Sequence, residues 1–260
     1  RISLGRQWDE IANWTNRPSV KNFYFSDKEG MNAILQLVAE LKNYKQPEKK
    51  DNSFPLFNFY LNNLKTEEAY ESLIKVYSLL KNWYNDTNIY NLLGFLFFAK
   101  KPDKKLIIYL QLVLNHGKIQ SKNELLEILA KDVKDMVPED TDKLLYGKDT
   151  DTEIHRLLLA LSVFQEVETR QKFNFYRYNK EKWTLEHIFP QTPEGKDHIL
   201  DDEDKKIIRE LIDDKITEEI LQILKLPKRD EDQKSIYETA FKGSIHLNSI
   251  GNMCLLTDKD

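Results

Sequence analysis

One cysteine, Cys254, stands among 260 residues. That excludes a disulfide framework and a cysteine-built zinc site, and it suits the reducing cytoplasm. Glycine and proline are equally scarce, at 8 each, which excludes collagen-like and low-complexity chains. No apolar run approaches the ~20 residues that a membrane helix needs, so no membrane partner is expected. The richest stretch, Ile89-Tyr-Asn-Leu-Leu-Gly-Phe-Leu-Phe-Phe-Ala99, is too short. The opening Arg1-Ile-Ser-Leu-Gly-Arg-Gln-Trp8 has no apolar core of the kind a signal peptide carries. Charge of one sign is missing too: Lys+Arg 39 against Asp+Glu 43 leaves −4. A histone-like polycation is therefore excluded. A hydrophobic content of 40% excludes a disordered polyanion. The length admits one large or two ordinary domains. Because the first residue is Arg1, the chain is expected to be a piece of a longer one.

What is present is mostly helical periodicity. Met31 to Tyr44 places Ile34, Leu35, Leu37, Val38 and Leu41 on one stripe. Thr66-Glu-Glu-Ala69 reads as a helix start with Thr66 as N-cap, followed by Tyr70, Leu73, Tyr77, Leu80 and Tyr84 at helical spacing. Further helices are predicted over 89–99, over 105–114 with Asn115-His116-Gly117 as its C-cap, and over 151–167. Ser121-Lys-Asn-Glu124 has the form of a capping box before another. The class is mainly α: a helical bundle-like domain over 1–168. A second domain is expected over 169–260, with an inserted helical segment at 201–226.

After Glu168 the pattern changes. Arg170, Lys172, Arg177, Lys180 and Lys182 stand against a single acid, Glu181, and are interleaved with Phe173, Phe175, Tyr176 and Tyr178. Partial alternation predicts a strand or extended segment. Its cations are candidates for DNA phosphate contacts, the sequence-independent part of nucleic-acid affinity, with a solvated strand face as the plain alternative. Trp183-Thr-Leu-Glu-His-Ile-Phe-Pro190 follows. Neighbours on a strand point to opposite faces, so Glu186 and His187 act together only at an irregular turn, which Pro190 helps to impose. In such a turn the carboxylate can hold a divalent metal and the imidazole can take a proton from water. Near the end, His246-Leu-Asn-Ser-Ile-Gly-Asn-Met-Cys-Leu-Leu256 suggests a short strand or hairpin with Asn252 in a turn. His246 is a further candidate beside Asn252, or else a strand-end surface residue. His116, His155 and His198 have no evident partner in sequence, and Cys254 reads as a packing residue.

Together the two C-terminal motifs resemble the HNH nuclease domain of GmrSD-type, modification-dependent restriction proteins, whose patterns run W-x-x-E-H-I-x-P and then G-N-x-x-L-L. The helical region, including Trp83-Tyr-Asn-Asp-Thr-Asn-Ile-Tyr90, resembles the family's middle segment. The resemblance implies a ββα-metal endonuclease in phage defence, acting on modified or foreign DNA. It gives His187 the part of general base, Glu186 that of ligand to one divalent metal (Mg²⁺, with Mn²⁺ as an option), and Asn252 that of the residue that braces the loop and orients the histidine. It also implies a nucleotide-hydrolysing domain preceding this segment, and a last metal ligand a few residues beyond Asp260, so that 169–260 is an incomplete nuclease domain. A homo-oligomer is left open by the sequence. The alternative is a helical interaction or DNA-binding module with a decayed nuclease site.

Overall fold

The computed structural model describes residues 2–45, 54–99, 105–114, 119–147, 149–164, 171–188 and 248–257. They form α1 (Ile2–Thr15), α2 (Pro18–Phe25), α3 (Gly30–Leu41), α4 (Pro55–Asn63), α5 (Thr66–Asn85), α6 (Thr87–Phe98), α7 (Lys105–Leu114), α8 (Lys122–Lys134), α9 (Asp151–Phe164), α10 (Phe175–Lys180), β1 (Trp183–His187) and β2 (Met253–Thr257). The protein is mainly α, as the periodicity predicts. Among the described residues no helix is long and apolar enough to cross a membrane. The C-cap expected at 115–117 and the helix expected over 201–226 lie outside the described residues, as does His198.

Two compact units emerge, and they are not divided by a single cut after 168. One is Arg1–Val137 with Leu159–Lys182; the other is Pro138–Leu158 with Trp183–Asp260. The change of composition at Glu168 marks where the chain changes character. The unit boundaries follow packing instead, and α9 begins in one unit and ends in the other.

The first unit is built from helices that each bury one stripe. Leu73, Val76, Tyr77, Leu80 and Trp83 do so on α5, and Leu125, Leu129 and Val133 on α8. Burial of each large apolar side chain contributes roughly 1.5–3 kcal/mol. Helix α6 is apolar nearly all round, and it buries Ile89, Tyr90, Leu93, Phe95 and Leu96. Asp86 separates it from α5: its carboxylate accepts the backbone N–H groups of Asn88 and Ile89 at 3.1 Å and pairs with Lys122. The cap expected at Thr66 falls one residue earlier, on Lys65, with Thr66 the first helical residue. At α8, Ser121 Oγ accepts from Glu124 N at 3.2 Å, while the Glu124 carboxylate reaches back to Gln120 N at 2.8 Å. The box closes one residue upstream of its usual partner.

Partial burial by itself would raise the Asp86 carboxyl, but the Lys122 ammonium and the two backbone donors outweigh it and hold the group below its ordinary value. A carboxyl lowered on folding stabilises above its unfolded pKa, and the contribution disappears as pH falls through the folded one. Asp86→Ala is therefore expected to cost about 0.5–2 kcal/mol at pH 7, read from the urea midpoint, and distinctly less near pH 3.

The segment expected as a strand is helical over Phe175–Lys180. In α10 the Asn174 side chain accepts from Arg177 N at 3.0 Å, and Phe175 and Tyr178, three residues apart, are the buried pair. Alternation over so few residues reads equally as one helical turn, and tertiary burial decides. Phe175 is fully enclosed, its ring stacked on Phe98 at 5.4 Å and flanked by Tyr90 and Phe23. Opposite it sits Gly94, where an added Cβ would lie 2.0 Å from the ring.

In the second unit, β1 and β2 pair antiparallel, with Trp183 opposite Thr257, Glu186 opposite Cys254 and His187 opposite Met253. A two-stranded ribbon alone is marginal in water. Here its inner face is covered: Met253 forms a core with Leu144 and Ile154, and Leu185, Leu157, Leu158 and Ile250 pack around them. This is why Pro138–Leu158 belongs with the strands. Gly147, at φ +78°, turns the chain from Tyr146 toward α9, where Asp151 accepts the Gly147 N–H at 2.8 Å.

Candidate active site

His187 is the last residue of β1, half-buried, and its surroundings come from three stretches of chain. From the 138–158 segment, the Tyr146 ring meets the imidazole edge to face, with centroids 4.9 Å apart and planes at 86°. From the segment before β2, Asn248 Oδ1 lies 3.2 Å from His187 Nε2. The third contact fixes the chain beyond the histidine: Ile188 N donates to the Asn252 carbonyl at 2.9 Å. Asn252 is buried and sits in a single 3-10 turn, Ile250–Asn252, immediately before β2.

An amide oxygen can only accept, so this hydrogen bond requires the proton on Nε2. The lone pair of the neutral ring is then on Nδ1. That is the arrangement a general base needs, with one nitrogen anchored and the other able to take a proton. The Asn252 carbonyl is the acceptor of the Ile188 N–H. The side chain on the imidazole is that of Asn248.

Glu186 is exposed, and its Oε1 accepts from the Thr184 hydroxyl at 2.8 Å. Both residues lie in the regular ladder, so Glu186 shares the outer face with Thr184 and Cys254, and His187 shares the inner one with Leu185 and Met253. The turn expected to bring the pair to one face is absent through His187. Pro190, which was expected to impose it, lies outside the described residues. Among the described residues no three His, Cys, Asp or Glu side chains cluster as a metal site. A single hard carboxylate oxygen nevertheless suits Mg²⁺, which commonly keeps several waters and takes one or two carboxylates beside substrate phosphate. Burial first, then the Glu186 charge, pushes the Cys254 thiol up, as suits a packing residue more than a nucleophile.

The cations of 170–182 are placed variously. Arg170 and His246 lie outside the described residues. Lys172 is held within the first unit, its ammonium 5.0 Å from the Tyr84 and Tyr90 ring centres and donating to the Tyr84 carbonyl. Burial lowers its pKa, against the opposing charge of Asp86. Arg177 pairs with Glu181 at 2.7 Å and Lys180 with Asp27 at 2.8 Å; Lys182 is exposed. An exposed ion pair contributes about 0–1 kcal/mol, so Lys180, whose pair with Asp27 is exposed on both sides, can exchange its carboxylate at small cost, whereas the Glu181 partner of Arg177 is half-buried. Lys172 would have to leave the Tyr84 carbonyl and the two rings.

Two site residues escaped the sequence. Asn248 sits inside the C-terminal motif but has no periodicity or charge to single it out. Tyr146 lies in a polar stretch far upstream, and nothing local links it to His187. No protein-family profile, curated protein or solved structure matches the chain.

Proposed function

We propose that the second unit is the catalytic end of an HNH-type, metal-dependent endonuclease of the GmrSD-like class, hydrolysing phosphodiester bonds in modified or foreign DNA. One observation carries this reading: a histidine at a strand end, anchored at Nε2 by an amide oxygen, with Nδ1 left to act as base. His187 takes a proton from a water on Nδ1 as that water's oxygen bonds to phosphorus. The bond from phosphorus to the 3′-oxygen breaks, and its electron pair leaves on that oxygen. A divalent ion held by Glu186 would stabilise the charge that develops on the phosphate and on the departing oxygen. Glu186 and His187 leave the same end of β1 one residue apart, so the scissile phosphate that both serve lies off the strand end.

The competing reading is a module that binds DNA or protein without cutting. It is favoured by the opposite-face placement of Glu186 and His187. A plasmid-nicking assay of the full-length protein separates the two, run on modified and unmodified DNA with Mg²⁺, with Mn²⁺ and with EDTA. Nicking is expected with the metals and not with EDTA. Glu186→Gln is expected to raise the Mg²⁺ concentration for half-maximal cutting by about tenfold or more, since a full charge facing a divalent ion is lost. Intact plasmid under every metal condition would establish the non-catalytic reading.

A further inference from the structure

We infer that Asn248 is the positioning residue of this site: it fixes His187 as the Nε2–H tautomer, and the 145–150 turn fixes Asn248. The catalytic part of this inference rests on the nuclease reading; the tautomer part does not.

The argument runs outward from the ring. Asn248 Oδ1 is 3.2 Å from Nε2, and the two residues are 61 positions apart, so folding alone brings them together. The backbone of Asn248 is held in turn, its carbonyl accepting the Tyr146 N–H at 2.7 Å. Leu145 and Ser249 form an antiparallel bridge beside that bond. The Thr150 hydroxyl closes the turn behind them, accepting from Leu145 N at 3.1 Å and donating to Leu145 O at 2.9 Å. Tyr146, whose backbone holds Asn248, also lays its ring against the imidazole. The chain that positions the amide therefore also limits ring rotation at His187. Among the described residues Nδ1 has no hydrogen-bond partner, so the Asn248 contact decides which nitrogen carries the proton. An asparagine is suited to this because its oxygen accepts without bringing a charge beside the base.

The test is the tautomer itself, read by long-range ¹H–¹⁵N correlation of the His187 ring in the full chain at a pH where the imidazole is neutral. The wild-type ring is expected to show a pyrrole-type Nε2 and a pyridine-type Nδ1. Asn248→Ala is expected to give a mixture of the two tautomers. Asn248→Asp, which keeps an acceptor oxygen in place, is expected to retain the wild-type pattern. In nicking assays Asn248→Ala is expected to lower kcat by about 10–100-fold with little change in KM, as loss of an orienting partner does, and Asn248→Asp to recover most of it. A wild-type ring protonated at Nδ1, or a tautomer unchanged in Asn248→Ala, overturns the inference. The wild-type spectrum needs no variant to fold. If the protein never nicks DNA, the nuclease reading fails while the spectra still decide the role of Asn248.

Discussion

His187→Ala in the full-length protein is expected to slow plasmid nicking by about 10²–10⁴-fold, the usual contribution of a positioned general base. At ~1.4 kcal/mol per tenfold this is roughly 3–5 kcal/mol of transition-state stabilisation. Folding should survive. The imidazole is half-buried at a strand end, its inner neighbour Leu185 packs around the Leu144, Ile154 and Met253 core, and the bond from Ile188 N to the Asn252 carbonyl is made by backbone atoms that the substitution retains. The loss should lie in kcat with KM nearly unchanged, because the base acts on a water in the reacting complex. Nicking at the wild-type rate by a folded variant, with circular dichroism and the urea midpoint unchanged, would remove His187 from the chemistry.

Phe175→Ala is expected to destabilise the first unit by about 3–5 kcal/mol, the range for truncating an enclosed phenylalanine. The site has little means of collapse. The ring is fully buried, stacked on Phe98 and bracketed by Phe23, Tyr90 and Phe173. On its remaining side it meets the bare backbone of Gly94, which has no side chain to move into the space. The same substitution should loosen α10, whose first residue is Phe175 and whose last, Lys180, reaches Asp27. A urea titration followed by near-ultraviolet dichroism measures the loss. A change below about 1 kcal/mol would mean that α10 is not an integral part of the core.

The two expectations differ in how far the sequence anticipated them. His187 was legible because chemistry limits which residues can serve as a base near neutral pH, and its neighbours Glu186 and Pro190 completed a recognisable pattern. For Phe175 the local pattern predicts a place in a strand or extended segment of basic and aromatic residues. Its neighbours in sequence allow that reading; Phe98, Tyr90 and Gly94, far away in the chain, exclude it for this residue. Lys172 follows the same logic, being drawn onto the rings of Tyr84 and Tyr90.

The sequence by itself determined helices α3, α5, α6, α7 and α8 of the first unit, much of the faces that α5 and α8 bury, and the Ser121 cap, because those depend on residues three or four positions apart. It also placed Glu186 and His187 together at the end of a short apolar run. Tertiary structure alone decided that β1 pairs with a strand beyond residue 250, that residues 138–158 cover the pair, and that Asn248 meets the imidazole while Asn252 holds the backbone after it. It also decided that Glu186 and His187 face opposite ways, since the ladder runs regularly through both. The physical reason is the range of the contacts. A helix closes its hydrogen bonds within its own turn, whereas a strand, a covering segment and the partner that sets a tautomer are supplied from distant parts of the chain.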